Sequence, residues 1–418
     1  MDTTLRLKLS IMMFLQYAIW GVWYVTMGTY LGQTLGFSGT VIGLAYSTTA
    51  VAAMISPFFV GMIADRFFAN QKMLGVLHIA GGLFLFLASQ TLGETGFLWV
   101  LLLYSLCYMP TLALTNTLCF HHMRDPERQF PGVRVLGTIG WIIAGLTVGF
   151  LQLEPTAVPL KIGAVLSVLM GAYCFALPNT PPRAAGKRVT ARDVLGLDAL
   201  SLLKERSFLV FIISCLLICI PLAFYYAFAN RFLNDIGVAN AAAKMTMGQV
   251  SEIFFMLVLP FFLIRWGIKK VLIVGMLAWV IRYVLFGFGD AESMVFMLYA
   301  GIILHGICYD FFFVAGQIYV NKKASPEIRG AAQGFLAFIT FGVGAFIGSV
   351  FSGRIVDAFT TVDPVTEVAV LDWQSIWLVP AGMAAVVMVF FILLFNEKSA
   401  PAVPTPPAEP SPDAAPAP

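Results

Sequence analysis

The sequence predicts an all-α polytopic membrane protein whose twelve transmembrane helices form two six-helix bundles. Its composition excludes a soluble domain: 59% of the 418 residues are hydrophobic and 11% are charged, against about 25% charged in an ordinary soluble protein. The chain also contains twelve apolar stretches of about 20 residues, the length that crosses a hydrocarbon core about 30 Å thick as a helix. The two observations together predict the fold class.

The twelve predicted spans fall into two halves. They cover residues 9–31, 41–63, 73–90, 97–120, 133–153, 160–177, 208–228, 247–266, 271–288, 294–320, 331–356 and 373–395. Residues 1–177 are predicted to form the N-terminal bundle and residues 208–398 the C-terminal bundle, joined by a polar, basic linker at 178–207. The Pro- and Ala-rich tail at 399–418 is predicted to be disordered.

Basic residues predict the orientation of the chain in the membrane. Most of them, including those in the linker and at both termini, belong to one side of the predicted topology. Few belong to the other side, and Arg282 is placed near that side. The positive-inside rule therefore predicts that both termini lie in the cytoplasm. The net charge of +3 follows from this bias and indicates no nucleic-acid partner.

A very few ionisable residues stand deep inside predicted spans, and Glu252, His305 and Asp310 are the ones that point to function. A charged side chain in hydrocarbon costs at least a few kcal/mol, so an intramembrane carboxylate is a hypothesis about a pathway for protons or substrate. Each carboxylate lies about a dozen residues, or roughly 18–20 Å along a helix, from the nearest cytoplasmic basic cluster. The alternative is a purely structural hydrogen bond or ion pair between helices.

Several polar and aromatic residues repeat at helical spacing and are predicted to line a water-filled cavity. They are Arg134, Thr138 and Trp141 in the fifth span, Gln249 and Glu252 in the eighth, His305 and Tyr309 in the tenth, and Gln16, Trp20, Trp23 and Tyr30 in the first. Exposing such polar stripes to lipid would cost free energy, because lipid offers them no hydrogen-bond partners. Alternatives remain open: the tryptophans could be packing residues, Gln16 could bond a neighbouring helix, and Arg134 could be an ordinary basic flank.

The remaining candidate chemistry is weak. All six cysteines lie in apolar spans without a CxxC pair, and are predicted to be small core residues, with no disulfide and no metal site. His78, His121 and His122 are placed at or near helix ends and receive no role. Motifs of the GxSxG, HExxH or phosphate-loop type are missing from the sequence, which argues against an enzyme.

Five segments closely resemble the bacterial nucleoside:proton symporter family of the major facilitator superfamily. They are FLQYAIWG at 14–21, YMPTL at 108–112, RVLGTIG at 134–140, QVSE at 249–252 and SPEIR at 325–329. The resemblance implies proton-coupled nucleoside uptake by alternating access, in which two bundles rock about a midplane site. It implies no cofactor besides the proton as coupling ion; a monomer in the lipid bilayer is expected.

The resemblance also implies roles for individual residues. Nine positions would bind the substrate: Arg134, Thr138, Trp141, Ala223, Tyr226, Gln249, Glu252, His305 and Tyr309. Glu252 and Asp310 would couple proton movement to transport. The short loop with Gly61, Asp65 and Arg66 is similar to the superfamily's conserved loop and would act in gating; a plain solvated turn is the alternative.

The seventh span departs from the family pattern. Ala223 and Tyr226 stand where the uridine-binding pattern has polar amides, and His305 stands where a tyrosine is found. Losing two amide contacts could change base selectivity or move the ligand. The alternative function is therefore a major facilitator transporter of another small polar solute, such as a sugar, a nucleobase or another metabolite.

Overall fold

The computed structural model describes residues 2–59, 68–181, 197–326, 328–365 and 369–396. Three predictions fall wholly or partly outside these ranges: the gating loop with Gly61, Asp65 and Arg66, much of the linker, and the C-terminal tail.

Every predicted span corresponds to a helical segment in the ranges that the structure describes. The helices are α1 (Thr3–Gly21), α2 (Gly39–Phe59), α3 (Asn70–Ala88), α4 (Glu94–His122), α5 (Pro126–Phe150), α6 (Val158–Cys174), α7 (Arg206–Asp235), α8 and α9 (the two parts of Ala241–Phe288, before and after Gly267), α10 (Val295–Lys323), α11 (Arg329–Ala358) and α12 (Trp373–Leu394). A 3-10 helix, Leu197–Lys204, precedes α7. Two antiparallel strands, β1 (Thr360–Val362) and β2 (Ala369–Leu371), connect α11 to α12.

Three of the predicted spans contain irregular helix. The first span continues beyond α1 as a short helix, Met27–Thr29, and a π-helix, Tyr30–Thr34. Further π-helical turns, Asp310–Val314 and Phe338–Gly344, interrupt α10 and α11. π-Turns inside α-helices are frequent at functional sites. The turn that begins at Asp310 therefore makes the middle of α10 a candidate functional region.

The bend between α8 and α9 depends on a glycine. Gly267 has a φ of 73° and a ψ of 167°, which residues with a Cβ atom rarely adopt. The chain therefore reverses direction at this position with almost no connecting loop.

The two halves of the chain meet along two helix pairs. In one pair α2 packs against α11, and in the other α5 packs against α8. Within the halves, α1 packs against α5, α3 against α6, and α7 against α11 and α12. The candidate site lies between α5 and α8, with contributions from α1, α7 and α10.

Hydrogen bonds between the halves concentrate at the end of the molecule away from the N terminus of α1, which we call the closed end. Asp357 accepts hydrogen bonds from the backbone N–H groups of Gly39 (2.5 Å) and Thr40 (2.8 Å), at the start of α2. Glu154 accepts one from the N–H of Ala242 (2.7 Å), at the start of α8. These N–H groups have no partner within their own helix, so each carboxylate satisfies the first turn of a helix from the opposite half.

Candidate functional site

The first wall of the site is formed where α1 crosses α5. A methyl group at Gly140 would clash with the carbonyl oxygen of Phe14, so only glycine permits this approach. The crossing places the ring of Trp141 against Trp20, with centroids 5.6 Å apart. The guanidinium of Arg134 lies 3.9 Å from the centroid of the Tyr17 ring, a cation–π contact that holds the charge on the inner face of α5.

The second wall is formed where α8 crosses α10. A methyl group at Gly306 would lie 2.6 Å from the backbone of Ser251, whose hydroxyl donates a hydrogen bond to the carbonyl oxygen of Ile303. This close crossing places the Glu252 Oε2 atom 3.8 Å from the Nε2 atom of His305. His305 is buried, while the side chain of Glu252 keeps 20% of its surface exposed. The carboxylate is therefore the more accessible of the two groups.

A row of aromatic rings connects the two walls. Centroid distances are 5.2 Å from Trp20 to Tyr24, 5.9 Å from Tyr24 to Tyr226, 5.7 Å from Tyr226 to Tyr225, 5.3 Å from Tyr225 to His305 and 6.0 Å from His305 to Tyr309. Sequence reasoning named neither Tyr24 nor Tyr225. Tyr24 follows Trp20 at i+4 and could have been found from that spacing.

A cavity opens between the halves beside this row. Its lining includes Trp141 from the first half and Tyr225, Tyr226, Thr246 and Gln249 from the second. The structure thus brings three predicted site residues, Trp141, Tyr226 and Gln249, to one space. Aromatic rings and few polar groups line this space, which is the usual composition of small-molecule sites, and in this conformation it has room for little more than a water molecule.

Charges of both signs meet across the interface. The positive charge of Arg134 on α5 acts at long range on the carboxylate of Glu252 on α8 and on Tyr309 on α10, since among the described residues no carboxylate lies within 4 Å of Arg134. Glu252 also interacts electrostatically with Asp310. Because the partners belong to different halves, relative movement of the halves changes these interactions.

Asp310 is the most isolated charged group of the site. Its side chain is 0% exposed, and neither carboxylate oxygen has a hydrogen-bond partner within the described ranges. Burying a carboxyl group without a hydrogen bond is costly. A buried polar group left in this state points to a functional role.

Arg282 was missed as a site residue. The prediction placed it near the non-cytoplasmic side of the membrane and gave it no role in the site, whereas its side chain is 0% exposed and lies beside the site. Its guanidinium lies 3.4 Å from the Tyr225 ring centroid, and its Nη1 atom is 3.1 Å from the Nδ1 atom of His305. A basic residue near the end of a predicted span could be assigned to the membrane surface or to the interior, and hydropathy did not distinguish the two.

Other candidates belong to the interior of the first bundle. Gln16 donates to the hydroxyl of Thr111 (2.7 Å), and its Oε1 atom is 2.9 Å from the Nε2 atom of His78. The alternative in which Gln16 bonds a neighbouring helix is therefore confirmed. The placement of His78 at a helix end is wrong, because it is buried in the middle of α3.

Four further predicted residues have different surroundings. Trp23 is buried and donates to the hydroxyl of Tyr104 (3.3 Å), and Tyr30 is buried near the closed end. Ala223 faces α11, since a methyl group at Gly348 would lie 2.9 Å from its Cβ atom. Thr138 is half-buried on α5 between Arg134 and Trp141.

A membrane-embedded helical protein with an aromatic-lined cavity between two halves, and with charged groups near it, belongs to the class of secondary transporters. Residues 1–400 match the family model described as nucleoside H+ symporter. The chain belongs to this family, and is a proton-coupled nucleoside transporter with the predicted major facilitator fold.

Relatives and a solved structure agree with this assignment. The chain is 46% identical over 401 residues to the putative nucleoside transporter YegT of Escherichia coli K12, and the match covers 94% of each chain. It is 35% identical over 413 residues to the xanthosine permease of the same organism, covering 95% of this chain and 97% of the permease. The crystal structure of the nucleoside transporter NupG superimposes with a TM-score of 0.86 at 34% identity, covering 95% of this chain and all of NupG.

Proposed function

We propose that the nucleoside binds in the central cavity, with Arg134, Gln249 and Glu252 as its main polar contacts and Trp141 and Tyr309 as its aromatic walls. The observation that carries this proposal is that Trp141 and Gln249, from opposite halves, line one cavity beside a row of aromatic rings. Ribose hydroxyls suit carboxylate and amide partners. The planar base suits the faces of aromatic rings and a guanidinium.

Glu252 is the carboxyl group that carries the coupling proton in this proposal. It keeps 20% of its side-chain surface exposed, so a proton can reach it from water. Asp310 is fully enclosed in the same conformation and has no such access. We assign Asp310 to the conformational change, because movement of α10 against its neighbours could offer its unpartnered oxygens a donor.

Orientation gives the transport cycle its direction. With both termini in the cytoplasm of an inner-membrane protein, the closed end faces away from the cytoplasm, and this conformation is the one that releases substrate inward. The loop with Gly61, Asp65 and Arg66 would form part of the cytoplasmic gate, and the linker at 178–207 would lie on the same side. We further propose that a monomer suffices and that the proton is the only coupling ion.

Uptake of labelled nucleosides into cells or proteoliposomes with an imposed proton gradient tests the function. Unlabelled purine and pyrimidine nucleosides, nucleobases and sugars are added as competitors. Competition by nucleosides alone supports the proposal. If a sugar or a nucleobase competes and nucleosides do not, the site carries another solute, and the changed residues Ala223 and Tyr226 would be its first explanation. A reporter fused after residue 206 should report a cytoplasmic position; a periplasmic signal would contradict the orientation.

A further inference from the structure

The hydrogen bond between Arg282 and His305 fixes the chemistry of the histidine ring. Every guanidinium nitrogen of arginine is a donor, and arginine offers no acceptor. Since Nη1 of Arg282 lies 3.1 Å from Nδ1 of His305, Nδ1 must present its lone pair. The proton of the neutral ring then resides on Nε2, the atom that faces the Oε2 atom of Glu252 at 3.8 Å.

The surroundings oppose any other state of this ring. An imidazolium ion would carry an N–H on Nδ1 and direct it at a guanidinium, losing the hydrogen bond and adding repulsion between like charges. Among the described residues no carboxylate lies within 4 Å of the Arg282 guanidinium. Tyr225 covers both groups, with its ring 3.4 Å from the guanidinium carbon and stacked on the His305 ring at 5.3 Å. This packing restrains the rotation that would release Nδ1.

We propose that Arg282 is a positioning residue that holds His305 as its neutral Nε2–H tautomer, so that His305 serves the site as a fixed hydrogen-bond donor. The inference deepens the proposed function and rests on it for the role of Glu252. The Nε2–H group of His305 points to the Glu252 carboxylate. The distance from Nε2 to Oε2 is 3.8 Å and must shorten to about 3 Å for a full hydrogen bond. Holding the ring neutral also excludes His305 from carrying the coupling proton.

The consequence for specificity follows from a difference in side-chain chemistry. A tyrosine hydroxyl, which the family resemblance places at this position, can both donate and accept a hydrogen bond. The neutral Nε2–H group can only donate. His305 therefore supports a ligand that presents an acceptor at this point, such as a carbonyl oxygen or an unprotonated ring nitrogen of a base, and not one that presents a hydroxyl or amino hydrogen.

Groups from four other helices face the His305 ring and enter any titration of it. They are Arg282 from α9, Tyr225 from α7, Glu252 from α8 with Arg134 from α5 behind it, and Tyr309 with Asp310 on α10 itself. Two of these are cations and two are carboxyl groups. The direct contact of His305 Nδ1 is nevertheless with a cation, and that contact determines which nitrogen bears the proton.

Nitrogen NMR of the imidazole rings tests the tautomer directly in the full-length protein reconstituted in lipid, without substrate. The chain has four histidines, and the His305→Gln variant identifies the signals of His305. We expect an unprotonated Nδ1 and a protonated Nε2 at every pH between about 5 and 8, the range in which an ordinary histidine titrates. A protonated Nδ1 in the wild-type protein overturns the proposal, whether or not any variant folds.

The Arg282→Met variant removes the donor while keeping most of the side-chain volume. Its His305 signals should move to a mixture of tautomers or to the imidazolium form on the acid side of the range. Arg354→Met, which replaces an exposed arginine of α11, is the matched control and should leave the His305 signals unchanged. Unchanged signals in Arg282→Met would show that another group fixes the ring.

Binding measurements separate this inference from the proposed function. Arg282→Met should weaken nucleoside binding about tenfold, the usual effect of losing one hydrogen bond to a charged group. The NMR result requires no substrate. If the tautomer is as expected and nucleosides do not bind, the proposed function fails while the assignment of Arg282 stands; if nucleosides bind and Nδ1 is protonated, the reverse holds.

Discussion

The carboxylates at the closed end differ from those at the centre in how fully they are hydrogen-bonded. Asp357 accepts two backbone N–H groups of α2, and Glu154 accepts one of α8. Asp310, at the centre, accepts none within the described ranges, and Glu252 has only His305 at 3.8 Å. Satisfied carboxylates hold the two halves in one arrangement, whereas unsatisfied ones remain free to bind a proton or a ligand.

The closed end also reflects the twofold relation between the halves. A carboxylate that follows α5 caps α8, and a carboxylate near the end of α11 caps α2. The two caps are reciprocal, but they are unequal, because Asp357 binds two N–H groups and Glu154 binds one. Asp235 adds a third contact, accepting from the side chains of Gln33 (2.6 Å) and Trp373 (3.2 Å).

Arg134→Ala should reduce nucleoside binding more than any other substitution in the site. It removes the guanidinium that is proposed to contact the nucleoside. A hydrogen bond to a charged group contributes about 1.5–3 kcal/mol, so nucleoside binding should fall by about 10- to 150-fold. Calorimetry or scintillation proximity on the purified protein measures it.

The control is Arg128→Ala, on the same helix, where the arginine side chain is 88% exposed. It should leave binding unchanged and confirm that the first variant acts through the site. Near-normal affinity in Arg134→Ala would remove the main support for placing the nucleoside between the halves.

Glu252→Gln and Asp310→Asn separate the two central carboxylates. Glutamine keeps the shape and hydrogen bonding of Glu252 but cannot release a proton. The Glu252 variant should retain some binding and exchange of nucleoside, lose accumulation driven by the proton gradient, and show a flat pH dependence of uptake. Asp310→Asn should bind nucleoside and exchange it slowly, because the movement of α10 is impaired.

Proteoliposome assays of counterflow and of gradient-driven uptake distinguish these outcomes. If the Glu252 variant still concentrates nucleoside and the Asp310 variant does not, the two roles are exchanged. If both variants concentrate it, neither carboxylate carries the proton and the coupling mechanism is wrong.

Asp357→Ala and Glu154→Ala test the closed end. Loss of a helix N-terminal cap costs about 0.5–2 kcal/mol, so each variant should shift the population toward an arrangement opened at this end. Asp357→Ala should shift it more, because two N–H groups lose their partner. Distances between spin labels at Ser38 and Ala239, which are exposed on the two halves at this end, report the populations. Equal shifts in the two variants would contradict the expectation that the Asp357 contact is the stronger one.

The sequence predicted the helices well and the site only in part. Hydropathy identifies spans because burial in lipid acts on each helix separately, and helical spacing placed Arg134 and Trp141 correctly on one stripe. Spacing cannot say which neighbouring helix a stripe faces. Gln16 faces α3 and α4 instead of the cavity, and Arg282 reaches His305 through a contact between α9 and α10 that no local pattern encodes.

Tyr226→Asn addresses the departure of α7 from the family pattern. It removes a ring that contacts Tyr24 and Tyr225 and supplies an amide where the resemblance expects one. The lost stacking and the gained hydrogen bond are of similar size, about 1 kcal/mol each. Affinity should therefore change less than about tenfold, while the order of preference among nucleosides changes. Tyr226→Phe is the control and should preserve the order of preference among nucleosides. If the asparagine variant also keeps the wild-type order, residue 226 does not contribute to base selectivity.

The smallest expected effect is the pH dependence of the closed end. Burial raises the pKa of the Glu154 carboxyl, which is 3% exposed, and hydrogen bonds such as that from Ala242 lower it by less. The closed arrangement therefore binds this proton more tightly than an opened, water-exposed one, whose carboxyl titrates near its ordinary value of about 4.3. As the pH falls from above the raised pKa toward that value, Glu154 should favour the closed arrangement. The spin-label populations in the wild-type protein should shift toward the closed arrangement as the pH falls, and Glu154→Gln should reduce this shift. If acid instead opens this end in the wild-type protein and not in Glu154→Gln, the pKa shift of Glu154 has the opposite sign. The hydrogen bond from α8 would then outweigh the effect of burial.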